Sequence, residues 1–442
     1  MALFWMQLLV VLTCIAVGGR YGGVGLGAAG GLGMSILVLV FGMQPASPPV
    51  SVILIITAVI ACCSVLQAAG GLDYLVTIAE KALRKKPDAI TFIAPLICGT
   101  FTFFCGTAYV AFSVYPVIAE VAAEAKIRPE RPLSMSVYAA DISITASPMS
   151  AATAGMIGIL ASSGVSPLKL VCVMLPSVLF GIFIGCLSVY RRGAELEHDP
   201  EFKRRVAAGE YQSLHVTAQK EGQLVSNKTA IRGLTIFAIG VATVVCLGSM
   251  KWLLPTWEVN GKVTSLPIPS LIQMVMLSAA FFIMVLCRVP GNQLAAGSVF
   301  RSGLIGVVGV FGVAWMTGTF FEAYEPLFKE LFRGMVQDWP MLFGIVLFCF
   351  SSVIFSPAAT VAALMPLGLQ IGIPPQILVA LFPAVCGAFI IPGAMQIGCV
   401  AFDRTGTTKI GRFVVNHSYM RPGLVTCASA VFACYFMSKM II

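Results

Sequence analysis

Charged residues are scarce in this chain, and their scarcity excludes a water-soluble domain. Only 11% of the 442 residues are Asp, Glu, Lys or Arg, whereas 58% are hydrophobic and the mean hydropathy is +0.93. Soluble domains carry about a quarter charged residues, so most of this chain cannot face water. The sequence therefore predicts a polytopic integral membrane protein.

The motifs of common catalytic and metal centres are also missing. The 3 histidines form no HExxH pattern, no GxSxG occurs, and the 14 cysteines show no CxxC spacing beyond the adjacent Cys62-Cys63. Free cysteines in apolar segments behave as small hydrophobic residues. The glycines of GGRYGGVGLGAAGG (18–31) have a dinucleotide-like spacing, but no strand precedes them, so they predict close helix packing. We expect no enzyme, no cofactor and no metal site.

Apolar windows long enough to cross a bilayer define the first level of organisation. Plain spans are predicted at residues 4–18, 24–41, 51–69, 229–250, 270–287, 301–320 and 422–438. The first of these lacks a basic n-region and a cleavage site, so we interpret it as a span rather than a signal peptide. Two further regions, 90–190 and 340–402, are apolar but irregular, and a polar cytoplasmic linker, 191–228, separates the halves.

The two halves, 1–190 and 229–442, repeat one order of elements after their first three spans. Each contains an interfacial helix, a re-entrant hairpin and a broken transmembrane helix. These are 72–86, 90–124 and 132–160 in the first half, and 322–337, 340–371 and 376–402 in the second. Repeats with interrupted helices at matching positions are typical of secondary transporters. We therefore predict an all-α polytopic membrane protein with two inverted repeats.

The distribution of basic residues predicts the orientation. Lysines and arginines flank the first hairpin at both ends, which places both ends in the cytoplasm by the positive-inside rule. With the second repeat inverted, all of the 28 lysines and arginines fall in cytoplasmic segments except Lys169, Lys251, Lys262, Lys329, Arg333 and Lys439. Both termini are then periplasmic. The net charge of +9 is a topological signal, so no nucleic-acid partner is expected.

Four interruptions inside apolar segments predict the binding site. Irregular backbone at membrane depth must line a cavity or be buried in protein, and helix N-termini attract anions. The interruptions contain small and hydroxyl side chains but no Lys, Arg or His. The candidate substrate-binding residues are Gly106, Thr107, Ser147, Pro148, Met149, Ser150, Ser356, Pro357, Ala358, Thr360, Pro392 and Gly393. The alternative is that proline and glycine merely kink packed spans.

Asp141 is the one acidic residue well inside an apolar span, about two turns before the interruption at Ser147. An intramembrane carboxylate is costly and marks an ion or proton path by default, so Asp141 is the candidate for ion or proton coupling. The alternative is a water-filled vestibule or a hydroxyl partner. Glu120 and Glu124 lie near Lys126 and are interpreted as surface partners, and His417 as a structural residue at the interface.

Four segments resemble a known family, the anaerobic C4-dicarboxylate transporters (Dcu) of bacterial inner membranes, within the wider ion-transporter group. They are LQAAGGLDYLVTIAEKALRKKP (66–87), FCGTAYVAFSVYPVIAEVAAEAKIRPERP (104–132), ASPMS (146–150) and FDRTGTTKIGRFVVNHSYMRPG (402–423). The resemblance implies a multi-pass inner-membrane carrier for succinate, fumarate, malate and aspartate. It also implies antiport, with fumarate or aspartate entering as succinate leaves, an elevator motion and a homodimer.

The chain departs from the family pattern at two points of the predicted site. The segment IIPGAMQIGCVAFD (390–403) lacks the Tyr-Pro pair that relatives carry there, and relatives commonly have an uncharged polar residue at the position of Asp141. These departures concern substrate choice and coupling by Na⁺ or H⁺. The alternatives to an antiporter are a cation-coupled symporter of a related organic anion and, since broken helices also form selectivity filters, a channel.

Overall fold

The computed structural model describes residues 2–21, 24–48, 50–209, 227–259, 262–324, 326–327, 339–354, 356–390, 392, 394–400, 402–410 and 416–442. Helices dominate it, as predicted. In the first half they are α1 (Ala2–Tyr21), α2 (Val24–Ser35), α3 (Val50–Ala68), α4 (Gly71–Lys85), α5 (Ile90–Cys105), α6 (Tyr115–Glu124), α7 (Glu130–Ile142), α8 (Ala151–Leu160) and α9 (Pro167–Val189). A π-helical turn, Ile36–Val40, extends α2.

The linker and the second half continue the helical pattern. Their helices are α10 (Pro200–Ala207), α11 (Asn227–Ser249), α12 (Ile268–Cys287), α13 (Ser298–Ala323), α14 (Phe343–Ile354), α15 (Pro357–Gln370), α16 (Pro375–Leu381), α17 (Ala394–Val400) and α18 (Met420–Ile441). Between α11 and α12 the strands β1 (Thr256–Val259) and β2 (Lys262–Ser265) pair antiparallel, with Thr256 opposite Ser265. The class is therefore mostly helical, with one short hairpin that hydrophobic periodicity alone did not predict.

Helix length and composition identify the membrane character directly. Among the described residues, four helices are long and apolar enough to cross a bilayer alone: Pro87–Cys105, Pro167–Val189, Pro269–Cys287 and Met420–Ile441. A fifth span results if the bent pair Ile53–Ala68 and Gly71–Lys85 is counted as one. Most of the other apolar helices are shorter, and several begin or end at the predicted interruptions, where glycine, serine and proline stop regular helix.

The helix α4 has the sequence character of an interfacial helix. Its axis is bent by 67° from that of α3, and its apolar side buries Leu72, Ala79 and Leu83, while Arg84 and Lys85 occupy the last turn. Basic residues at a helix C-terminus also complement the helix dipole. The predicted counterpart, 322–337, lies largely outside the described residues.

A glycine-rich seam joins the first three helices to the second half. A Cβ added at Gly30 would lie 2.4 Å from the carbonyl carbon of Gly312, and one at Gly27 would lie 2.1 Å from the carbonyl oxygen of Val308. Because only hydrogen occupies these positions, the backbones of α2 and α13 touch. Ala46 extends the seam, since its N–H donates to Thr319 Oγ1 at 3.0 Å. The predicted close helix packing of residues 18–31 is therefore confirmed at Gly27 and Gly30, whereas a Cβ at Gly31 would meet nothing within 4 Å.

The helices fall into two packing groups. The group of α1, α2, α3, α11, α12 and α13 is held by the pairs α2–α13, α3–α12 and α11–α12. The second group contains α5 to α9 and α15 to α18, with α9 packed along α18 and α5 along α7. The interruptions belong to the second group, and α8 and α15 are also in contact with the first.

Candidate functional site

The first interruption is a tight turn at the end of α5. Cys105 ends the helix and Gly106 takes a left-handed conformation with φ +69°. Thr107 then caps a 3-10 turn, Ala108–Ser113, by accepting a hydrogen bond from the N–H of Tyr109 at 3.4 Å. A residue without a side chain is favoured at such a φ. Regular helix therefore stops at this turn.

The turn at Gly106 lies against the second interruption of the same half. A Cβ added to Gly106 would lie 2.6 Å from the carbonyl oxygen of Met149 and 3.1 Å from the nitrogen of Ser150. The hydroxyl of Ser147 donates to the carbonyl oxygen of Phe103 at 2.6 Å. The structure thus brings together Gly106 and the Ser147–Ser150 segment, which the sequence placed about 40 residues apart.

The serine hydroxyls of this interruption satisfy the chain's own backbone. Ser150 caps α8, accepting from the N–H of Thr153 at 3.0 Å and donating to the carbonyl oxygen of Ile144 at 2.6 Å. Ser147, Pro148, Met149 and Ser150 are all buried. In this arrangement the hydroxyls of both serines donate to backbone carbonyl oxygens, that of Ser147 to Phe103 and that of Ser150 to Ile144. Their role in substrate binding stays a prediction. Apart from the capped N–H of Thr153, the N–H groups of the first turn of α8 have no acceptor within the helix.

The corresponding region of the second half has a similar contact. The hydroxyl of Ser352 donates to the carbonyl oxygen of Gly387 at 2.9 Å, and the N–H of Gly387 donates to Ser351 Oγ at 2.9 Å. The end of α14 thus holds the segment that follows α16. Regular helix there ends at Leu381 and a 3-10 turn follows, Phe382–Val385. This interruption begins earlier in the chain than the predicted residues Pro392 and Gly393.

At the second serine-proline pair, Ser356 caps α15 and Pro357 occupies its first turn. Ser356 Oγ accepts from the N–H of Ala359 at 3.2 Å, which is the geometry that serine before proline favours at a helix start. The buried Thr360 donates to the carbonyl oxygen of Ser356 at 3.0 Å. Ala358 and Pro392 are half-buried, and Gly393 lies outside the described residues.

Two contacts connect the interruptions of the two halves. In the helices that follow the serine-proline pairs, a Cβ added at Gly155 in α8 would lie 3.4 Å from a methyl carbon of Val361 in α15. Each helix begins four residues before this contact, about 6 Å along its axis. The hydroxyl of Tyr138 donates to the carbonyl oxygen of Cys386 at 3.2 Å. The start of α8, the start of α15 and the Cys386 segment therefore lie in one region.

Asp141 lies in this region, one turn after Tyr138. Its main-chain oxygen accepts the thiol of Cys386, with an Sγ–O distance of 3.5 Å. The residue is 8% exposed, and its Oδ2 has no hydrogen-bond partner within the described part of the chain. A buried carboxylate without a partner carries a large desolvation cost. No group of three metal-ligating side chains was found among the residues that the structure describes.

A buried ion-pair network, which the sequence reasoning did not predict, lies at the start of α7. Arg128 donates from Nε to Glu130 Oε2 at 2.6 Å and also pairs with Asp199. Burial opposes the charge of Arg128, but these carboxylates raise the pKa of its guanidinium above the ordinary value. Asp199 also caps α10 by accepting from the N–H of Glu201 at 3.0 Å. The linker is thereby fixed to the first half.

The loop after α17 joins the same network. Asp403 accepts hydrogen bonds from the hydroxyls of Thr405 and Thr407, the latter at 2.9 Å. Thr407 Oγ1 in turn accepts from the N–H of Glu130 at 3.2 Å, and Ser418 donates to Glu130 Oε1 at 2.7 Å. The available signal was the concentration of charged and hydroxyl residues in IRPERP and DRTGTT within an apolar chain.

His417 has a structural environment, in agreement with its interpretation from sequence. Its Nε2 lies 3.2 Å from the carbonyl oxygen of Ile390, and its Nδ1 accepts from the N–H of Tyr419 at 3.2 Å. Burial lowers the pKa of His417, although the hydrogen bond to Ile390 acts in the opposite direction. The ring connects the last interruption to the start of α18.

The surface acids pair differently from the expectation. Glu120 and Glu124 both bind Arg84, at 3.1 and 3.0 Å, rather than Lys126. Lys126 pairs with Glu197 at 2.7 Å. The reason is that α6 packs against α4, a tertiary contact that spacing along the chain cannot indicate.

Comparisons with known proteins agree with this architecture. The family model described as "Anaerobic c4-dicarboxylate membrane transporter" matches residues 3–442. The chain is 38% identical to the anaerobic C4-dicarboxylate transporter DcuB of Escherichia coli O6:H1, over 98% of each chain. It is also 38% identical to the C4-dicarboxylate transporter DcuA of Wolinella succinogenes, over 96% of each chain. The Alcanivorax borkumensis YdaH transporter shares the fold, with a TM-score of 0.52, 14% identity and coverage of 99% of this chain and 97% of that one.

The fold, the apolar helices and these matches define a multi-pass membrane transporter, and not an enzyme. More specifically, the chain belongs to the anaerobic C4-dicarboxylate membrane transporter family. The family resemblance of the four quoted segments is thereby confirmed.

Proposed function

We propose that this protein is a secondary active carrier that exchanges C4-dicarboxylates, taking up fumarate, malate or aspartate as succinate leaves. Family membership supports the substrate class. The observation that carries the site is the contact between the halves, in which the Tyr138 hydroxyl binds the carbonyl oxygen of Cys386 at 3.2 Å. It supports one shared site rather than four unrelated kinks.

In the proposed site, backbone amides bind the two carboxylates of the substrate. In the first turn of α8 the N–H groups of Ala151 and Ala152 have no intrahelical acceptor. In α15, Pro357 has no N–H and the N–H of Ala359 is bound by Ser356, which leaves the N–H of Ala358. A helix N-terminus favours an anion by both hydrogen bonding and dipole. Ser150 and Ser356 hold these turns in place by capping them. Gly106, Thr107 and the segment around Pro392 would complete the enclosure around the diacid.

We further propose that the halves are inverted repeats and that the second packing group moves as one body in an elevator motion. The group of α1, α2, α3, α11, α12 and α13 would be the fixed scaffold and the dimer support. The network of Arg128, Glu130, Asp199 and Asp403 favours this proposal, because it ties the linker and both interrupted helices together. Antiport follows if the empty carrier moves slowly, since unpaired amides in a dry site are costly.

Asp141 adds a negative charge to a site for dianions, so a positive charge must accompany the substrate. A coupled Na⁺ or H⁺ would supply it in a symporter, and a positively charged group on the substrate itself would supply it in an exchanger. A channel is the remaining alternative. The carrier is favoured over the channel because the described interruptions are packed and capped, with Ser147 and Thr360 buried, rather than open along a continuous pore.

A counterflow experiment tests exchange. Proteoliposomes loaded with labelled succinate should release it when fumarate is added outside, with saturation at high fumarate and little release in buffer alone. External acetate, a monocarboxylate, is the matched control and should release little label. Release that does not saturate and does not depend on an external diacid would indicate a channel. Release that requires Na⁺ or a proton gradient without an external diacid would indicate a symporter.

A further inference from the structure

The start of α5 and the end of α9 lie side by side. Each belongs to a helix that is long and apolar enough to cross a bilayer, and the two are in contact. The ring of Phe92, in the first turn of α5, lies 5.3 Å from the ring of Tyr190, which caps the end of α9. These spans therefore leave the bilayer at the same surface. Gly106 lies at the other end of the 16-residue α5, about 24 Å along its axis, so this surface is separate from the proposed substrate site.

Three exposed basic residues adjoin these helix ends. Lys85 and Lys86 end α4, and only the short turn Pro87–Ala89 separates them from α5, while Arg191 directly follows Tyr190. The guanidinium carbon of Arg191 lies 5.7 Å from the centre of the Tyr190 ring, within the range of a cation–π contact. Lys85, Lys86 and Arg191 therefore form a basic triad where two spans reach the membrane surface.

Most acidic side chains of the neighbouring segments already bind other arginines. Three acids of α4 and α6 bind Arg84 at 3.0 to 3.1 Å, namely Glu80, Glu120 and Glu124. Glu195, on the segment after α9, binds Arg131 at 3.1 Å. In the part of the chain that the structure describes, no ion pair neutralises a member of the basic triad. Asp88, in the turn before α5, is unpaired there as well, but one carboxylate cannot balance three basic groups, so the triad keeps a net positive charge.

An exposed apolar face of α9 lies next to the triad, toward the middle of the bilayer. Phe183 and Leu187 are 52% and 51% exposed, and with Tyr190 they follow the spacing of one helix face. The ring of Phe183 also lies 6.1 Å from that of Phe92, so the face borders α5. Because α9 crosses the bilayer, this face contacts acyl chains, with the tyrosine at the level of the headgroups. The charged and the apolar part of one lipid molecule would therefore both meet complementary surfaces.

We propose that the basic triad and the exposed face of α9 bind an anionic phospholipid. Its phosphate lies between Lys85, Lys86 and Arg191, and an acyl chain runs along Phe183 and Leu187. Ammonium and guanidinium groups donate hydrogen bonds to phosphate oxygens, and basic residues beside a membrane span attract anionic headgroups. A free phosphate would meet the same basic groups but would leave the apolar face unused, which favours the lipid.

Native mass spectrometry of the purified full-length protein tests the site by measuring how tightly phosphatidylglycerol binds. The triad variant combines Lys85→Gln, Lys86→Gln and Arg191→Gln. The control variant removes the same charges from exposed residues elsewhere: Lys203→Gln, Lys228→Gln and Arg421→Gln. The triad variant should bind phosphatidylglycerol roughly tenfold or more weakly than the wild type, because the groups that attract the headgroup are gone. The control variant should bind it as tightly as the wild type.

A comparison on the wild type does not depend on the folding of any variant. Phosphatidylglycerol should bind roughly tenfold more tightly than phosphatidylcholine, whose headgroup carries no net charge, and an excess of inorganic phosphate should not displace it. Equal binding by the triad and control variants, or equal binding of the two lipids by the wild type, overturns the site. Displacement by inorganic phosphate overturns the assignment to a lipid, because the apolar face would then contribute nothing.

Discussion

Gly106 combines two constraints at one residue. Its φ of +69° favours glycine, and its α-hydrogen faces the backbone of Met149 and Ser150, since a Cβ at this position would lie 2.6 Å from the Met149 oxygen. Gly164 has a similar φ of +78°, but a Cβ there would meet nothing within 4 Å. Alanine substitutions at Gly106 and Gly164 therefore distinguish the cost of the left-handed backbone, which both share, from the cost of steric overlap, which only Gly106 has.

Gly106→Ala should lower stability more than Gly164→Ala. The left-handed conformation costs an alanine about 1 kcal/mol in both variants, and the overlap with Met149 adds about 1–3 kcal/mol at Gly106 alone. Thermal unfolding of the purified variants in detergent measures the difference, and counterflow should fall only for Gly106→Ala. Equal unfolding temperatures for the two variants would show that the turn can move away from Met149.

Many hydrogen-bond partners of individual side chains could not be predicted from the sequence. Serine followed by proline predicts a helix start, and α15 does begin at Pro357. The same pattern could not show that the Ser147 hydroxyl binds Phe103, because that partner comes from a different helix. Long-range pairs such as Arg128–Asp199 were missed for the same reason. Local chemistry predicts caps, whereas partners distant in sequence depend on the assembled fold.

At the scale of elements, the seam between α2 and α13 was the more predictable feature. Glycines at helical spacing indicate close backbone approach, although only the structure identifies α13 as the partner. Within α2, Gly30 faces Gly312, while a Cβ at Gly31 would meet nothing within 4 Å. Gly30 and Gly31 are therefore in the same helix, but only Gly30 contacts another backbone.

Gly30→Ala should destabilise the protein by about 1–3 kcal/mol, because the new methyl group would separate two backbones in contact. Gly31→Ala should be neutral or stabilising by up to about 1 kcal/mol, since alanine is the better helix former. Thermal unfolding in detergent compares the two. If both substitutions raised the unfolding temperature, the seam would not be the tight contact described.

The sequence predicted where the helices are interrupted better than it predicted the length of each interruption. Glycine and proline mark where helices stop, and α5 ends at Cys105, directly before Gly106. The last interruption, by contrast, begins after Leu381, well before the predicted Pro392 and Gly393, and the next described helix starts at Ala394. Pro383, which lacks an N–H, lies within the 3-10 turn Phe382–Val385, and the hydrophobicity of the sequence does not fall there to indicate a helix end.

At the scale of the whole molecule, the class and the membrane character were predictable because they depend on composition. Few charges and many apolar windows suffice for a polytopic protein. The pairing of the halves was not predictable, since the helices that α2, α3 and α9 contact most, α13, α12 and α18, lie in the second half. The orientation rests on charge distribution alone and stays a prediction.

Fusion reporters test that orientation. With both termini periplasmic, alkaline phosphatase fused after Ile442 should be active and a green fluorescent protein at the same place dark, because the former folds only outside the cytoplasm. Fusions placed after residue 209, in the predicted cytoplasmic linker, should give the reverse pattern. A fluorescent C-terminal fusion would require the second repeat to be turned over.

The contact of α2 with α13 also has a consequence for biosynthesis. Ala46 and Thr319, at the edge of that seam, are 273 residues apart in the chain. At about 5–20 residues per second, the ribosome needs roughly 14–55 s to deliver the second after the first. Throughout that interval the grooved face of α2 meets lipid or the insertion machinery instead of its partner. The first helices must therefore remain stable in the bilayer for that interval, before the contact with α13 can form.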